Sequence, residues 1–111
     1  MMPRRPRTLA NYMDAAGREP FRDWLNSLKD RQGLNSMRTR LNRIRQDGNF
    51  GDWKSVGDGV FELRIDVGPG YRVYFAEDAE DDKLILLFGG PKKKQAADIA
   101  KSKKYWEDYN A

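Results

Sequence analysis

The chain has 111 residues, a net charge of +4, and neither cysteine nor histidine. A chain of this length forms one compact domain, and without cysteine it has no disulfide, thiolate nucleophile or cysteine zinc site. Without histidine it lacks the usual general base near neutral pH, so catalysis has to use lysine, arginine, tyrosine or carboxylate groups. No apolar run approaches the roughly 18 residues of a membrane span, and no secretory signal follows the basic start, so we expect a soluble, cytoplasmic protein.

The first half of the chain predicts a short strand followed by two helices. We expect residues 1–6 to be a disordered basic arm and residues 7–13 to contain a strand. In REPFRDWLNSLKD, apolar residues recur at i, i+3, i+4 and i+7 from Phe21, which is the stripe of an amphipathic helix with Pro20 in its first turn. Asp30 is a suitable cap for a second helix, whose apolar stripe lies opposite several arginines. The two helices form a helical hairpin.

The stretch FELRIDVGPGYRVYF alternates between apolar and polar residues, which predicts two half-buried strands joined by a turn. A three-residue turn at 68–70 places Asp66 opposite Arg72. The same register places Arg64 opposite Tyr74. These side chains are therefore expected to form a small polar cluster on the outer face of the strand pair.

The remaining segments predict one more strand and a last helix. Leu84–Phe88 is apolar without alternation, as expected of a strand at the centre of a sheet. Residues 92–109 are rich in lysine and carry apolar residues on one side, which favours a helix. The glycine-rich stretch GNFGDWKSVGDG is interpreted as a loop. The expected fold class is α+β, with the helices packed on one face of an antiparallel sheet.

Positive charge is concentrated in two blocks of the sequence. The block from Arg31 to Arg45 contains five arginines and no acid, and PKKKQAADIAKSKK contains six lysines and one acid, Asp98. Such blocks suit a polyanion or an acidic protein partner. Solvated helix faces produce the same pattern, so the blocks alone leave both interpretations open.

Three motifs, in this order, resemble those of a known superfamily. They are ELR, GPGYRVYF and GG-x-KKKQ-x-x-DI, and they follow the helical hairpin. Together they resemble the RelE/ParE toxin superfamily, in the branch of HigB-like addiction-module killer proteins related to a phage gene product. The resemblance covers nearly the whole chain, from about Leu9 to Tyr109. It implies a single RelE/ParE-like toxin domain over residues 1–111, with an N-terminal strand and helical hairpin packed on an antiparallel sheet and a C-terminal helix.

The resemblance implies the toxin of a type II toxin-antitoxin pair, neutralised by a cognate antitoxin protein with a helix-turn-helix domain, as in HigA. RelE and HigB members cleave mRNA on the ribosome without a metal or other cofactor, whereas ParE members poison DNA gyrase. We favour an mRNA endoribonuclease that acts on translating ribosomes, because the basic density of the chain favours RNA. A gyrase poison and a catalytically dead antitoxin-binding module are the alternatives.

The resemblance also indicates a phosphate-binding site. Arg72 matches the central catalytic arginine of the family, and Arg64 matches a basic residue on the adjacent strand. Lys92 and Lys93 fall near a further basic position. A guanidinium group is always charged and can bind a phosphate with two parallel hydrogen bonds, so arginine suits the clamp and not the base. Substrate-binding roles are expected for Tyr74, on which a base could stack, and for Lys94, Arg40 and Arg43.

Two positions depart from the pattern of the family. A lysine of RelE is replaced by Glu62, and the catalytic tyrosine of the last helix has no clear counterpart, so the proton-transfer roles are unassigned. Glu62 or Asp66 could serve as base if burial raised its pKa, but an Asp66 that faces Arg72 would be held ionised. An exposed ion pair between Asp66 and Arg72, contributing under about 1 kcal/mol, is the structural alternative. Phe50 and Trp53 are either lids on the sheet edge or substrate contacts, and packing is favoured.

Overall fold

A computed structural model of the chain describes residues 4–111. These residues form a five-stranded sheet and three α-helices. None of the helices in this part of the chain combines the length and the apolar character needed to cross a membrane. The strands are β1 (Thr8–Asn11), β2 (Trp53–Gly57), β3 (Val60–Ile65), β4 (Tyr71–Asp78) and β5 (Lys83–Pro91), and their order in the sheet is β1-β5-β4-β3-β2. The helices are α1 (Pro20–Ser27), α2 (Arg31–Asp47) and α3 (Gln95–Tyr109), and a short 3-10 helix lies at Lys92–Lys94.

The α+β fold class, the N-terminal strand, the helical hairpin and the C-terminal helix are confirmed, but the sheet is mixed and not antiparallel. β1 pairs with β5 in the parallel direction, while the other three pairings are antiparallel. The alternation of apolar residues carries no information on strand direction. A parallel pair of strands needs a long connection, and the chain between β1 and β5 is long enough to provide it. Of the expected basic arm, residues 1–3 lie outside the described residues, and Arg5 donates two hydrogen bonds to Asp82, at 3.1 and 2.6 Å.

The glycine-rich stretch interpreted as a loop contains a strand, β2, at the edge of the sheet. It pairs with β3 and has an irregularity between Ser55 and Gly57. Most of its side chains are exposed, so the apolar alternation that identifies a strand is missing. Its first residue, Trp53, packs edge-on against Phe61, with ring centroids 5.6 Å apart.

The register of the β3–β4 hairpin differs by two residues from the predicted register. Arg64 lies opposite Arg72 and Glu62 lies opposite Tyr74, so the connection spans residues 66–70 and the predicted three-residue turn is wrong. The longer turn is closed by a hydrogen bond from the Gly70 N–H to the carbonyl of Val67, at 3.0 Å. Because the shift is an even number of residues, every side chain keeps its predicted face.

The two predicted helices of the hairpin are confirmed. The Asp30 side chain caps α2 and accepts a hydrogen bond from the Gly33 N–H, at 3.1 Å. Gly48 ends α2 in the left-handed conformation, with φ of 73°. Phe21 of α1 and the apolar stripe of α2 are buried against the sheet; the buried stripe residues are Met37, Leu41 and Ile44.

The helices cover both faces of the sheet, so the prediction that they pack on one face is wrong. α1 and α2 cover one face, which we call the hairpin-covered face, and its core is apolar. α3 covers the other, the α3-covered face, where Tyr74 and Ala76 of β4 pack with Ile85 and Leu87 of β5. All residues of β4 from Tyr71 to Ala76 are consequently buried. Of the outer polar cluster expected on the β3–β4 hairpin, Arg72 and Tyr74 are therefore buried, whereas Arg64 and Asp66 keep access to solvent.

Candidate functional site

Two arginines lie directly opposite each other at the centre of the candidate site. Arg64 of β3 pairs in register with Arg72 of β4, on the α3-covered face. Like charges placed opposite each other on neighbouring strands destabilise a sheet. Two carboxylates offset part of this repulsion: Arg64 Nε donates to Glu62 at 3.1 Å, and Arg72 lies 3.5 Å from Asp66. The pair concentrates positive charge where β4 begins.

Glu62 is fully buried between the sheet and the start of α3. Its two carboxylate oxygens accept hydrogen bonds from the side-chain amide of Gln95, at 2.8 and 3.2 Å. One of these oxygens also lies 3.9 Å from the ammonium group of Lys54. With Arg64 as a further donor, both oxygens of Glu62 accept hydrogen bonds. This carboxylate joins β2, β3 and α3 and holds Arg64 in place.

Arg72 is only 4% exposed. One terminal guanidinium nitrogen donates to its neighbour's carbonyl, that of Tyr71, at 3.0 Å, and contacts Asp66. Its Nε has no hydrogen-bond partner among the described residues. Asp66 itself has a side chain that is 71% exposed, so it lacks the burial on which its candidate role as base depends. The expected open, outer position of Arg72 is therefore wrong.

Tyr74 is completely buried, which contradicts the expectation that an RNA base stacks on its ring. Its hydroxyl group has no hydrogen-bond partner in the described part of the chain. Burial, reinforced by the negative charges of Glu62 and Asp98, raises the pKa of this hydroxyl group, and Arg72 opposes that rise. Tyr74 is therefore a neutral phenol at the centre of several charged groups.

Asp98, in the first turn of α3, belongs to the same site and is missing from the residues that the sequence suggested. It is 6% exposed, and its Oδ2 has no partner among the described residues. A Cβ atom built on Gly90 would lie 2.0 Å from that oxygen, so the carboxyl group occupies the space that a side chain would fill. Gly90 is the cross-strand partner of Arg72. Desolvation raises the pKa of Asp98, against the effect of Lys101 and Lys94.

A sequence signal for Asp98 existed, because it is the one acid in a block of six lysines. An acid in the first turn of a helix is common for electrostatic reasons, however, and this ordinary explanation hides its burial. The burial depends on Gly90, which belongs to another element. Spacing along the chain does not show that contact.

Lys92, Lys93 and Lys94 have exposed side chains and form the 3-10 helix that leads into α3. The Lys92 N–H donates to the carbonyl of Gly70 at 2.9 Å, which holds this turn next to the 66–70 connection. Arg64, whose side chain is 32% exposed, lies at the same end of the sheet. We call these exposed and half-exposed cations, together with Lys54, the basic rim of the site.

The structure separates the other two predicted substrate contacts from this site. Arg40 of α2 donates hydrogen bonds to backbone carbonyls: to Arg64 at 2.5 Å, to Phe50 at 2.6 Å and to Asp52 at 2.9 Å. Its role is structural, since it ties the chain before β2 to β3. Arg43 is exposed and lines a cleft between α2 and the 66–70 connection, on the hairpin-covered side. Phe50 is 6% exposed and stacks on Phe75, so its predicted packing role is confirmed.

The arrangement suits the binding of an oxyanion by cations and a proton transfer by a buried carboxyl group. Guanidinium and ammonium groups supply the charge-assisted hydrogen bonds that a phosphate requires. Among residues 4–111, no group of three or more carboxylates is placed to hold a metal ion. The charged residues of the site can supply electrostatic stabilisation and acid-base catalysis.

Comparison with known proteins shows the family of the chain. It is 48% identical over 83 residues to an uncharacterized protein of Haemophilus influenzae, a match that covers 75% of this chain and 82% of that protein. The chain belongs to the same family as the Haemophilus influenzae protein. No family model and no solved structure matches the chain.

Proposed function

We propose that the protein is the toxin of a type II toxin-antitoxin pair with a RelE/ParE-like fold, and that it cleaves mRNA on translating ribosomes. The observation that supports this proposal is the pair of arginines on adjacent strands. In the predicted register, Asp66 lay opposite Arg72; in the structure, Arg64 lies opposite Arg72, and the exposed Asp66 contacts Arg72 at 3.5 Å from the turn. Two like charges in this position destabilise the free protein and favour a bound anion.

The proposed reaction is attack by a ribose 2′-hydroxyl group on the adjacent phosphate. Negative charge grows on the phosphoryl oxygens as the new bond forms, and preorganised cations stabilise it. The cations of the basic rim, Arg64 among them, are accessible and meet the phosphate first, while Arg72 is buried on the adjacent strand. Arg72 contributes the most once the RNA is bound, because a buried charge acts in a low dielectric.

A partner follows from the same charges. We expect a cognate antitoxin, of the helix-turn-helix HigA-like kind, to bind with acidic residues that cover the basic rim. Surface charge pairs are screened by salt, so the association rate of the complex should fall as ionic strength rises. Measurement of binding kinetics with the protein encoded beside this one tests this expectation, and a rate independent of salt would contradict it.

The direct test replaces Arg72 with methionine, which removes the charge and retains much of the volume. We expect cleavage of a reporter mRNA in a purified translation system to fall by about 100-fold to 1000-fold. Arg72→Lys should recover part of the rate, because a point charge replaces a bidentate fork. Arg22→Ala, which removes an exposed arginine of α1, is the control and should cleave at the parent rate.

A thermal melt of each variant separates loss of the site from loss of the fold. A folded Arg72→Met protein that cleaves as fast as the parent would remove Arg72 from the site. Pulse labelling after induced expression tests the target: protein synthesis should fall before DNA synthesis. The reverse order would favour a gyrase poison of the ParE kind and reject the nuclease.

A further inference from the structure

We propose that Asp98 is the general base of this site, which accepts the proton of the attacking 2′-hydroxyl group after the turn that covers it moves. The inference rests on the proposed function and assigns a residue to a role that Glu62 and Asp66 do not fill. The oxygens of Glu62 are occupied by donors, and Asp66 is exposed to solvent. Asp98 is the buried carboxyl group of the site with an unoccupied oxygen.

The position of Asp98 is unfavourable for stability alone. A buried polar atom without a hydrogen bond destabilises the folded state. Among the described residues, three such atoms lie together on the α3-covered face, namely Oδ2 of Asp98, the hydroxyl of Tyr74 and Nε of Arg72, and the others belong to Arg7 and Arg40. The three on the α3-covered face belong to side chains that are at least nine-tenths buried. Groups kept unpaired in this way are characteristic of sites that meet a ligand.

Gly90 gives Asp98 its place next to the arginines. The Asp98 carboxyl group lies over the backbone of Gly90, where any Cβ atom would collide with it. Gly90 is opposite Arg72, which is in turn opposite Arg64. Arg64, Arg72 and Gly90 are thus neighbours across β3, β4 and β5, so a phosphate held by the two arginines lies next to the carboxyl group of Asp98. A base for the neighbouring 2′-hydroxyl group needs this position.

In this proposal, the segment from Lys92 to Ala97, which leads into Asp98 along the chain, forms the cover over its carboxyl group. Its lysine and alanine side chains are exposed, and among the described residues its side-chain hydrogen bonds to the sheet are those of Gln95 to Glu62. The Lys92 N–H adds one backbone hydrogen bond, to Gly70. RNA that binds the exposed lysines acts directly on this segment. Its displacement exposes Asp98 while the rest of α3 stays attached through Tyr12–Asp108 and Tyr109–Asp78.

The proposed step balances with water as the second proton carrier. The 2′-oxygen forms a bond to phosphorus as its proton moves to Asp98, and the bond between phosphorus and the 5′-oxygen breaks. The departing 5′-oxygen takes a proton from water, and the hydroxide that remains is neutralised by the proton on Asp98. The products are a 2′,3′-cyclic phosphate and a 5′-hydroxyl end, and the carboxylate is regenerated.

The charged groups around Asp98 set its titration. From β4 it faces Tyr74, whose hydroxyl group is also close to Glu62 and Arg72, and it faces Lys94 of the 3-10 helix and Lys101 of α3. Desolvation outweighs the two lysines and raises the pKa of Asp98, which makes its carboxylate a stronger proton acceptor than an exposed aspartate. The cleavage rate should therefore fall on the acid side of the pH profile, as Asp98 becomes protonated.

The test measures cleavage of mRNA in preformed ribosome complexes across the acid to neutral range. We expect Asp98→Asn to cleave about 100-fold to 10,000-fold more slowly than the parent and to lose the acid limb of the profile. Glu107→Gln, the equivalent acid-to-amide change at an exposed position near the far end of α3, is the matched control and should retain the limb. A merely structural role of Asp98 would lower the melting temperature and leave the shape of the profile unchanged.

Two outcomes separate failure of this inference from failure of the proposed function. If the parent does not cleave, the proposed function and the assignment of Asp98 both fail. If the parent cleaves, Arg72→Met does not, and folded Asp98→Asn retains the parent rate and acid limb, only the assignment fails. Should Asp98→Asn not fold, Asp98→Glu decides: we expect a slower enzyme with a shifted acid limb, and a profile identical to the parent would overturn the inference.

Discussion

The two faces of the sheet bury different kinds of side chain. On the hairpin-covered face, Leu63, Val73 and Phe75 pack with α1 and α2 in an apolar core. On the α3-covered face, the alternate residues of the same two strands include Glu62, Arg72 and Tyr74, all buried. Burial of apolar area stabilises a fold, whereas burial of unpaired polar groups destabilises it. Apolar burial by these two strands is therefore concentrated on the first face, and the second face holds their buried charged and polar side chains.

Two adjacent glycines of β5 show the same contrast at the scale of one residue. A Cβ atom on Gly89 would lie 2.3 Å from the ring of Trp24, whereas one on Gly90 would lie 2.0 Å from the carboxylate of Asp98. The first glycine allows an aromatic ring of α1 to approach the sheet. The second allows a carboxyl group of α3 to do so. Close approach of the backbone serves packing on one face and the candidate site on the other.

The largest loss of stability is expected from Phe75→Ala on the hairpin-covered face. Phe75 is 1% exposed and stacks on Phe50 and Phe61, with centroids 5.6 Å away in each case. Truncation leaves a cavity, so the free energy of unfolding should fall by about 3–5 kcal/mol. Urea denaturation measures it. If the free energy of unfolding falls less in Phe75→Ala than in Tyr74→Phe, the hairpin-covered face does not contribute more stability than the α3-covered face.

Gly90→Ala should have an intermediate effect. The new methyl group displaces the carboxyl group of Asp98, and overpacking of this kind lowers the free energy of unfolding by about 1–3 kcal/mol. Combining it with Asp98→Ala should recover part of the loss, because the colliding oxygens are then absent. Gly89→Ala is the matched control: it collides with Trp24, and Asp98→Ala should not relieve it. Additive effects of the Gly90 and Asp98 changes would contradict the contact.

Tyr74→Phe should leave stability unchanged or raise it by up to about 1 kcal/mol. The variant removes a buried hydroxyl group that has no hydrogen-bond partner among the described residues, and it keeps the ring. Tyr71→Phe is a suitable contrast, because the Tyr71 hydroxyl donates to Asp30 at 2.7 Å and its loss should destabilise the protein. Thermal melts of the two variants should shift in opposite directions or differ clearly in size.

A further expected effect is on the pH dependence of stability. Because the pKa of Asp98 is raised, the folded state holds its proton over a range above the ordinary aspartate value of about 4, where the unfolded state has lost it. Asp98 thus makes stability decline as pH rises through that range. This decline is absent in Asp98→Asn. Over the same pH range, the free energy of unfolding of the variant should therefore rise relative to that of the parent by at most about 1.4 kcal/mol per pH unit.

The pKa values of Asp30 and Asp78 are shifted in the direction opposite to that of Asp98. Hydrogen bonds from Tyr71 and Tyr109 lower the pKa of these two carboxyl groups. Their contribution to stability is present above the ordinary aspartate value and is lost as pH falls through their lowered values. Urea denaturation at a series of pH values, with Asp23→Asn as an exposed control, distinguishes the two kinds of group. A parallel pH dependence of parent and Asp98→Asn would show that Asp98 is not perturbed.

Local patterns in the chain were sufficient to predict most of the elements. The apolar stripes of α1 and α2, the cap at Asp30 and the alternation in β3 and β4 each depend on neighbours within a few residues, and each was confirmed. The strand β2 was missed because its side chains are mostly exposed, so no alternation marks it. The even shift of the hairpin register preserved the predicted faces, although it changed every cross-strand partner.

The composition of the candidate site was only partly visible in the chain. Arg64 and Arg72 are carried by motifs, so they were found, but their position opposite each other depends on a turn of five residues and not three. Asp98 enters the site because α3 folds back over the sheet and because Gly90 leaves it room. The same fold buries Tyr74, which alternation alone had left on an open face. Periodicity determines which face a side chain takes; packing of distant elements decides whether that face meets water, a helix or a substrate.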